Sequence, residues 1–371
     1  MNGRSVGVGF VGSGSVVWAY LRALDALVAR GLAWPGPISG RRQEAWPEIM
    51  RRRPGAQIVP DAAAVIESDV DVVAILTPPS SHAEIALAAL EAGKHVLVEK
   101  PLGITRAEAE AVVGLAADHG LYVMAAPFVL LSPTVQELWR LVGGNEIGTV
   151  HSARALYGNP GATWARWYHE SGVGPLGDLA VYNLKTLTAL LGPVGEVLAA
   201  ESTAVRPRVV GDMTIADPDP DTIHLVLRHR DGALSSVVAS HAIQHYRRTA
   251  MELYGTTGTI NLLGDDWAPA GYEVWRNDEG SWQLVEPADE TWRWTDGLRE
   301  LVFAVRDDRP PLQELGQDLH LIDVLAAARE AARTGTAVMV GSDFPAMAPP
   351  PAPPRREGHV HDRTRPVDEQ A

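Results

Sequence analysis

The chain of 371 residues contains no cysteine. This absence excludes disulfides, thiolate nucleophiles, iron–sulfur clusters and cysteine-ligated zinc, and it agrees with a reducing compartment. No apolar run approaches the ~18 residues that a membrane-spanning helix requires. Basic residues are fewer than acidic ones: the chain has 32 Lys and Arg and 46 Asp and Glu, which gives a formal charge of −14. A surface this acidic repels phosphate backbones, so nucleic acid binding is not expected.

The remaining composition is that of an ordinary globular protein, with 46% hydrophobic and 21% charged residues. A chain of this length predicts two or three domains, each with a sizeable core. The first residues, Met1 to Ser5, lead straight into a glycine-broken strand and do not resemble a signal peptide. We therefore expect a cytoplasmic protein with no membrane partner.

The first third of the chain alternates short apolar runs with helical patterns. Strand-like runs occur at 6–11, 37–39, 71–76, 95–98 and 121–125, and helical patterns occur at 16–30, 84–92 and 106–119. Strands separated by helices at this spacing are typical of βαβ units and predict a parallel sheet. We interpret residues 1–126 as a dinucleotide-binding domain of the Rossmann type.

Beyond about residue 148 the pattern changes to short strands joined by turn residues. Strand-like runs cover 149–156, 194–203, 222–228, 234–240, 250–254, 259–262 and 272–275, with helices at 178–191 and 317–334. We interpret 127–344 as a second α/β domain with an open, mostly antiparallel sheet. The Pro-rich, polar segment 345–371 cannot bury enough apolar surface to offset its ordering entropy, so it is expected to be disordered.

A glycine-rich turn follows the first strand and opens the first helix. In the run Gly12-Ser13-Gly14-Ser15-Val16-Val17, Gly12 allows the tight turn and Gly14 lets the backbone approach a pyrophosphate. The helix N-terminus then presents free N–H groups and a positive dipole to that phosphate. Val17 replaces the third glycine of the usual pattern, which removes no phosphate contact. The turn therefore predicts cofactor binding at Gly12, Ser13, Gly14, Ser15 and Val16.

The end of the second strand indicates which dinucleotide binds. NAD sites place an acid there for the ribose 2′-hydroxyl, but this chain has none until Glu44. Ser39, Arg41 and Arg42 instead offer a hydroxyl and two guanidinium groups, which suit a 2′-phosphate. We therefore expect NADP as the cofactor, with NAD as the alternative.

Several short motifs extend across nearly the whole chain except its last segment. They are Gly12-x-Gly14, Thr77-Pro78-Pro79-Ser80-Ser81-His82, the run 93–101 ending in Glu99-Lys100-Pro101, and the runs 147–150, 172–178 and 253–259. In this order they resemble the motifs of the Gfo/Idh/MocA oxidoreductases, the group named for glucose–fructose oxidoreductase and inositol 2-dehydrogenase. The resemblance implies a Rossmann domain followed by an open-sheet α/β domain. It also implies cofactor contacts at Thr77, Pro78, His82, Glu99 and Lys100.

The resemblance further implies three catalytic residues. In such proteins the lysine of Glu-Lys-Pro reaches the reacting substrate oxygen near the nicotinamide, often across a cis Lys–Pro bond, and Lys100 matches it. Asp178 and Tyr182 match the pair that follows a run of small residues, where many relatives carry histidine in place of the tyrosine. Their i, i+4 spacing places both on one helix face. Lys185 departs from the family pattern, because many relatives carry an acid or a histidine there.

The chemistry expected of this trio is proton transfer. A free tyrosine has a pKa of ~10 and is a poor base near neutrality, but a nearby Lys100 ammonium favours the phenolate and lowers that pKa. Lys100 and Tyr182 would then move the hydroxyl proton while hydride moves to or from the nicotinamide. Asp178 would hold substrate hydroxyls, and the alternative proton carriers are Lys100 itself and His169 in the preceding loop.

Tryptophan is abundant, with 11 residues against 4 phenylalanines. Trp164 and Trp167 lie just before the small-residue run that precedes Asp178. Indole faces stack on the C–H faces of sugar rings, so these two are candidate substrate contacts. Packing in the core or at an interface is the alternative for both.

Histidine spacing gives little support for a metal site. His241 and His245 are four residues apart, but the run around them is strand-like, which separates them by roughly 13 Å. No acidic cluster completes either this pair or His359 with His361. We expect no structural or catalytic metal.

Together these patterns predict an NADP-dependent oxidoreductase that acts on a sugar, a polyol or a related cyclic alcohol or ketone. Two alternatives stay open: a redox-assisted epimerase or eliminase that retains its cofactor, and a non-catalytic dinucleotide-binding sensor. The open sheet leaves a broad face to cover, so a homodimer or homotetramer is expected.

Overall fold

The computed structural model describes residues 4–41, 43–170, 173–247, 250–287, 289, 291–350 and 364–366. The chain divides into two compact units, Met1–Phe128 with Trp294–Ile322, and Val129–Arg293 with Asp323–Ala371. The first unit thus includes a segment, 294–322, that the sequence pattern placed in the second domain. Its membership depends on packing between residues far apart in the chain, which local patterns do not reveal.

Residues 4–128 alternate strands and helices, as the apolar pattern predicts. The strands are β1 (Val6–Val11), β2 (Ala33–Ser39), β3 (Ile58–Val59), β4 (Val72–Ile75), β5 (His95–Val98) and β6 (Val123–Ala125), and the helices are α1 (Val17–Val28), α2 (Trp46–Arg52), α3 (Ala62–Ile66), α4 (His82–Glu91) and α5 (Arg106–His119). All strands pair in parallel in the order β3-β2-β1-β4-β5-β6. This is the Rossmann strand order, so the predicted fold class is confirmed for this region.

The rest of the chain is rich in strands. In chain order it contains α6 (Pro133–Gly143), β7 (Val150–Gly158), α7 (Val181–Leu191), β8 (Val194–Ser202), β9 (Arg208–Val210), β10 (Met213–Ile215), β11 (Thr222–His229), β12 (Leu234–Ser240), β13 (Met251–Gly255), β14 (Gly258–Asp265), β15 (Ala268–Arg276), β16 (Ser281–Val285), α8 (Gly297–Asp307), α9 (Leu315–Thr334), β17 (Val338–Met339) and β18 (Thr364–Pro366). Ten of these strands form one sheet in the order β17-β8-β11-β12-β7-β13-β14-β15-β16-β18. Among the described pairings in this sheet, β12 with β7 alone is parallel, so the mostly antiparallel sheet is confirmed.

One face of the large sheet is buried and the other is open. On β11, Ile223, Leu225 and Leu227 are buried while the alternate residue Val226 is 48% exposed. This alternation is what a strand with one covered face requires. Helix α7 packs against β7 and β12, so the helix that carries Tyr182 rests on a rigid sheet.

Helix α8 belongs to the first unit, where it packs against α1, β5 and β6. Its buried residues include Leu298 and Leu301. A Cβ on Gly297 would lie 2.5 Å from the ring of Phe128, so the close approach at the start of α8 requires glycine. These partners are far away in sequence, so local patterns do not reveal that α8 belongs to the first unit.

The segment 345–371 lies mostly outside the described residues, so its expected disorder stays a prediction. Three of its residues, 364–366, form β18 and pair antiparallel with β16. A strand containing Pro366 suits the edge of a sheet, because proline has no N–H to donate to a further strand.

Within the part of the chain that the structure describes, we find no helix of the length and apolarity needed to cross a membrane. The cytoplasmic location expected from the sequence stays a prediction.

Candidate functional site

The glycine-rich turn occupies its predicted place between β1 and α1. Gly12 has a φ of +122°, and a Cβ there would lie 2.6 Å from the carbonyl oxygen of Leu76. Both the backbone angle and the packing therefore require glycine. Helix α1 begins at its cap residue Val16 with no side-chain cap and no acidic residue in its first turn. Its amide groups and positive dipole end suit a phosphate, so this turn fits the pyrophosphate of a dinucleotide.

The end of β2 lies against this turn. The N–H of Gly12 donates to the carbonyl oxygen of Ser39 at 2.8 Å, and Gly40 leaves room for the side chain of Ser13. The Ser39 side chain is buried, with 2% exposure, whereas Arg41 is exposed. Arg42 lies outside the described residues. Of the predicted 2′-phosphate contacts, Arg41 is the one whose described side chain faces solvent.

His82 joins the two loops that follow β4 and β5. Its Nε2 lies 2.8 Å from the carbonyl oxygen of Thr77, and its Nδ1 lies 2.7 Å from that of Pro101. The ring has no exposed surface. This geometry gives His82 a bridging role between the Thr77-Pro78 loop and the Lys100-Pro101 loop, rather than direct contact with a cofactor through its ring.

Lys100 directly follows β5, and its bond to Pro101 is cis, as the resemblance implies. The carboxylate of Glu99 accepts from the N–H of Lys100 at 3.2 Å and from the hydroxyl of Tyr20 at 2.8 Å. Tyr20 lies on α1, and its ring meets that of Trp294 edge to face. Glu99 therefore connects the Lys100 loop to the helix that opens at the glycine-rich turn.

In the second unit, Asp178 and Tyr182 lie across a change of helix type. A π-helix covers Leu176–Ala180, and α7 continues from Val181, whereas the sequence predicts one regular helix over 178–191. Such π-turns occur frequently at functional sites. The Asp178 carboxylate Oδ2 lies 3.1 Å from Nε2 of His241, a contact that the sequence does not reveal.

Tyr157, on β7, lies beside both predicted catalytic residues of this unit. Its ring meets that of Tyr182 edge to face at 5.9 Å and stacks on Trp267 at 6.1 Å between centroids. Burial raises the pKa of the Tyr157 hydroxyl far above its ordinary value, and the nearby Tyr182 and Asp178 raise it further. Tyr157 therefore stays protonated, and its neighbours form an aromatic wall next to Asp178.

The hairpin between β14 and β15 reaches α7 through Asp266. This fully buried carboxylate accepts from Thr186 Oγ1 at 3.0 Å and from Asn183 Nδ2 at 3.2 Å. Burial raises its pKa to about 7, and the two hydrogen bonds oppose that rise. Asp266 thus fastens the hairpin tip to α7 one turn beyond Tyr182.

The loop before the π-helix contains the other substrate candidates. Trp164 is 66% exposed and meets Tyr168 edge to face at 6.3 Å, so its indole is open to stack on a ligand. The placement of the Trp167 side chain lies outside the described residues. His169 is buried, its Nε2 lies 2.8 Å from the carbonyl oxygen of Ala162, and burial lowers its pKa.

Sequence reasoning missed Tyr157, His241 and Asp266 as members of this site. His241 drew attention only through its spacing from His245, and a pairing across 63 residues leaves no local signal. Lys185, noted as a departure from the family pattern, is 2% exposed. Within the described residues, no three His, Asp or Glu side chains group as a metal site would require.

Two family models match the chain and define its class. Residues 6–126 match an oxidoreductase family with an NAD-binding Rossmann fold, and residues 135–261 match the GFO/IDH/MocA C-terminal domain. The fold and the matched regions define an NAD-binding oxidoreductase. The chain belongs to the Gfo/Idh/MocA family, as its motifs predict.

Relatives of known activity cover most of the chain. A dTDP-3,4-didehydro-2,6-dideoxy-alpha-D-glucose 3-reductase from Actinomadura kijaniata is 28% identical over 90% of this chain and 97% of its own length. Levoglucosan dehydrogenase from Pseudarthrobacter phenanthrenivorans is 30% identical over 69% of this chain and 73% of its own length. A solved structure of levoglucosan dehydrogenase in complex with NADH and levoglucosan shares the fold, with a TM-score of 0.80, 23% identity, and coverage of 91% of this chain and 100% of that one.

Proposed function

We propose that this chain is an NAD(P)-dependent dehydrogenase or reductase that acts on one carbinol or carbonyl carbon of a neutral sugar or cyclic polyol. The observation that carries the proposal is the cluster in the second unit. There Asp178 and Tyr182 both adjoin Tyr157, and the exposed indole of Trp164 lies on the loop before them. An acid, a phenol and open aromatic faces are the groups that hydroxyl-rich rings need.

Each of the three proposed catalytic residues has a distinct task. When bound, the nicotinamide of the cofactor supplies the hydride acceptor or donor. Tyr182 takes the hydroxyl proton in oxidation and returns it in reduction. The Lys100 ammonium stabilises negative charge on the substrate oxygen and on the phenolate. Asp178 accepts hydrogen bonds from neighbouring hydroxyls and fixes which carbon reacts.

Local charge favours a neutral substrate over a nucleotide-linked one. The relatives include an enzyme named for a dTDP-sugar and one named for levoglucosan. The carboxyl groups of Asp178 and Asp265 both raise the pKa of the Tyr157 hydroxyl, so this part of the unit carries negative charge. A diphosphate placed near them would be repelled, whereas sugar hydroxyls would be held.

For the cofactor we propose a preference for NADP. The strand end at Ser39 is followed by Arg41 and Arg42 and by no acid before Glu44. Because Ser39 is buried, the preference rests on the two guanidinium groups. A guanidinium pairs well with a phosphate and gains nothing comparable from a free 2′-hydroxyl.

We also propose that the chain forms a homodimer or homotetramer through the open face of the large sheet. Leu198 on β8 pairs in register with Val226 on β11, and these side chains are 45% and 48% exposed. Leu234 on the neighbouring β12 is 40% exposed. Adjacent exposed aliphatic side chains on three neighbouring strands favour cover by a second copy.

The test of the main proposal is a screen of purified protein with NADP or NAD against neutral sugars, cyclic polyols and a dTDP-sugar. Absorbance of the reduced nicotinamide reports turnover, and levoglucosan, glucose and xylose are the first probes. The proposal predicts turnover with a neutral sugar and none with the dTDP-sugar. Sugar isomerisation without net cofactor change would instead indicate the epimerase, and cofactor binding without turnover on any compound would indicate the sensor.

A further inference from the structure

His241 is a buried residue held in place by its backbone and aimed at Asp178. It directly follows β12 and is 1% exposed. Its N–H donates to the carbonyl oxygen of Asp221 at 2.7 Å, and its carbonyl oxygen accepts from Arg208 at 3.0 Å. The backbone at His241 is thus hydrogen-bonded through both its N–H and its carbonyl oxygen.

The two groups that hold His241 are themselves buried and paired. Arg208 donates to the Asp221 carboxylate at 3.0 Å, and the two residues are 5% and 1% exposed. The N–H groups of Ala204 and Val205 also donate to that carboxylate, each at 2.8 Å. A buried ion pair with this many hydrogen bonds is a rigid support.

The imidazole ring of His241 makes the contact with Asp178. Nε2 of His241 lies 3.1 Å from Oδ2 of Asp178. Because a carboxylate only accepts, Nε2 carries the hydrogen of this bond. The imidazole edge also meets Tyr168 at 6.2 Å and His169 at 6.0 Å between centroids. The donor therefore reaches Asp178 from a fixed direction.

We propose that His241 is a positioning residue that holds the Asp178 carboxylate in one orientation toward the substrate hydroxyls. The inference rests on the proposed function, because Asp178 is there the group that selects the reacting carbon. The Nε2–H of His241 reaches this carboxylate from a fixed direction, and small misplacements of a positioning group are costly to turnover. The Arg208–Asp221 pair is then the support that keeps His241 in register.

Three variants separate positioning from simple packing. His241→Gln keeps an N–H near the position of Nε2, His241→Phe keeps the ring volume but removes the donor, and His229→Phe is the matched control. His229 is another buried histidine of this sheet, with Nδ1 2.8 Å from the carbonyl oxygen of Gly192 and Nε2 2.9 Å from Ser235 Oγ. The His229→Phe variant removes a buried imidazole and leaves the contact between His241 and Asp178 in place. If His241→Phe fails to fold, His241→Ala takes its place.

Two readouts are needed, one of which requires no substrate. In crystal structures we expect the Asp178 carboxylate to turn away in His241→Phe and to stay in place in His241→Gln and His229→Phe. With a neutral sugar found in the screen, kcat/KM should fall about 10²-fold in His241→Phe. It should recover most of that loss in His241→Gln and stay within about threefold of the parent in His229→Phe.

The outcomes distinguish this inference from the proposed function. An unmoved Asp178 in His241→Phe overturns the positioning role, whatever the enzyme's substrate, and so does a kcat/KM within threefold of the parent. If the parent protein turns over no sugar, the proposed function fails, and the crystallographic orientation of Asp178 still decides whether His241 positions it.

Discussion

The ring of Tyr182 meets the ring of Tyr157 edge to face, with centroids 5.9 Å apart and planes inclined at 72°. The two phenols are chemically identical but differ in position. Tyr157 lies on a strand and is held protonated, because burial raises its pKa and Tyr182 and Asp265 raise it further. Tyr182 lies on α7, one turn beyond Asp178. We therefore propose that Tyr182 transfers the proton and that Tyr157 has a packing role.

This assignment predicts different outcomes for the same chemical deletion at neighbouring rings. Tyr182→Phe should lower kcat by ~10²–10⁴-fold, because it removes a general acid–base group. Tyr157→Phe is the matched control and should lower kcat by less than about tenfold. Steady-state kinetics on a sugar identified by the screen measures both. Full turnover in Tyr182→Phe would reduce Tyr182 to a packing residue.

A related prediction concerns Lys100, which we propose acts together with Tyr182. Lys100→Ala should lower kcat as strongly as Tyr182→Phe, and the double variant should fall little further, because residues that act as one unit are not additive. Losses that multiply in the double variant would mean that the two side chains act in separate steps. Cofactor Kd should change less than kcat in all three.

A second prediction concerns the pH dependence of stability at Asp266. Burial raises its pKa from an ordinary 3.8 to about 7, so the folded state keeps a proton that the unfolded state releases. Stability should fall as the pH rises from about 4 to about 7 and then level off. A difference of about three pKa units corresponds to a cost of about 4 kcal/mol at high pH. Asp266→Asn removes that cost.

Urea denaturation at pH 5 and pH 8 measures this effect. The free energy of unfolding of Asp266→Asn, relative to the parent, should be about 3 kcal/mol more favourable at pH 8 than at pH 5. Asp221→Asn is the control, because the pKa of Asp221 is shifted in the opposite direction to that of Asp266. Burial alone would raise the pKa of Asp221, but hydrogen bonds from Ala204, Val205 and Arg208 outweigh it and lower that pKa. Its loss of stability should be similar at both pH values, and a pH-independent effect of Asp266→Asn would contradict the account.

The helices of the first unit indicate how far local sequence determines this fold. The predicted helix 106–119 matches α5 at both ends, because Thr105 and Glu108 form a capping box and Gly120 adopts a left-handed conformation that ends it. Such signals lie within a few residues of the helix ends, so they can be recognised in the sequence. The helices α6 and α8 were not predicted, and the place of α8 in the first unit depends on Phe128 and other partners far away in sequence.

In the candidate site, too, local motifs can be recognised in the sequence and long-range contacts cannot. The glycine turn, Lys100, Asp178 and Tyr182 can be proposed as site residues from the sequence, because each lies in a short motif with recognisable spacing, and their roles stay predictions. The contacts of these residues were not predictable, since His241 reaches Asp178 across 63 residues and Asp266 reaches Thr186 from a hairpin tip. The π-turn at Leu176–Ala180 also leaves no mark that a helical periodicity would reveal.

A third prediction concerns cofactor choice. The double variant Arg41→Ala with Arg42→Ala should raise the Kd for NADP by about 10²–10⁴-fold and leave the Kd for NAD nearly unchanged, since charge-assisted hydrogen bonds are worth about 1.5–3 kcal/mol each. Arg22→Ala with Arg30→Ala removes two exposed charges elsewhere in the same unit and should change neither value. Equal Kd values for NADP and NAD in the parent protein would contradict the preference.

A fourth prediction concerns assembly. Val226→Glu places a charge at the centre of the exposed aliphatic patch and should raise the dimer Kd at least ~100-fold, because each copy would bury an unpaired carboxylate. Met50→Glu is the control, since Met50 is 50% exposed on α2. Light scattering at micromolar concentration gives the mass of each variant. A parent protein of monomeric mass would contradict the proposed interface.

The measurement that tests the central claim most directly is isotope transfer from sugar to cofactor. The protein is incubated with the oxidised cofactor and a neutral sugar that carries deuterium on its carbinol carbons, and the reduced cofactor is then analysed by mass spectrometry and NMR. The account predicts one deuterium at C4 of the nicotinamide per molecule of sugar oxidised. The label should appear ~10²–10⁴-fold more slowly in Tyr182→Phe and less than about tenfold more slowly in Tyr157→Phe. Conversion of the sugar with no deuterium in the cofactor would contradict hydride transfer as the reaction of this chain.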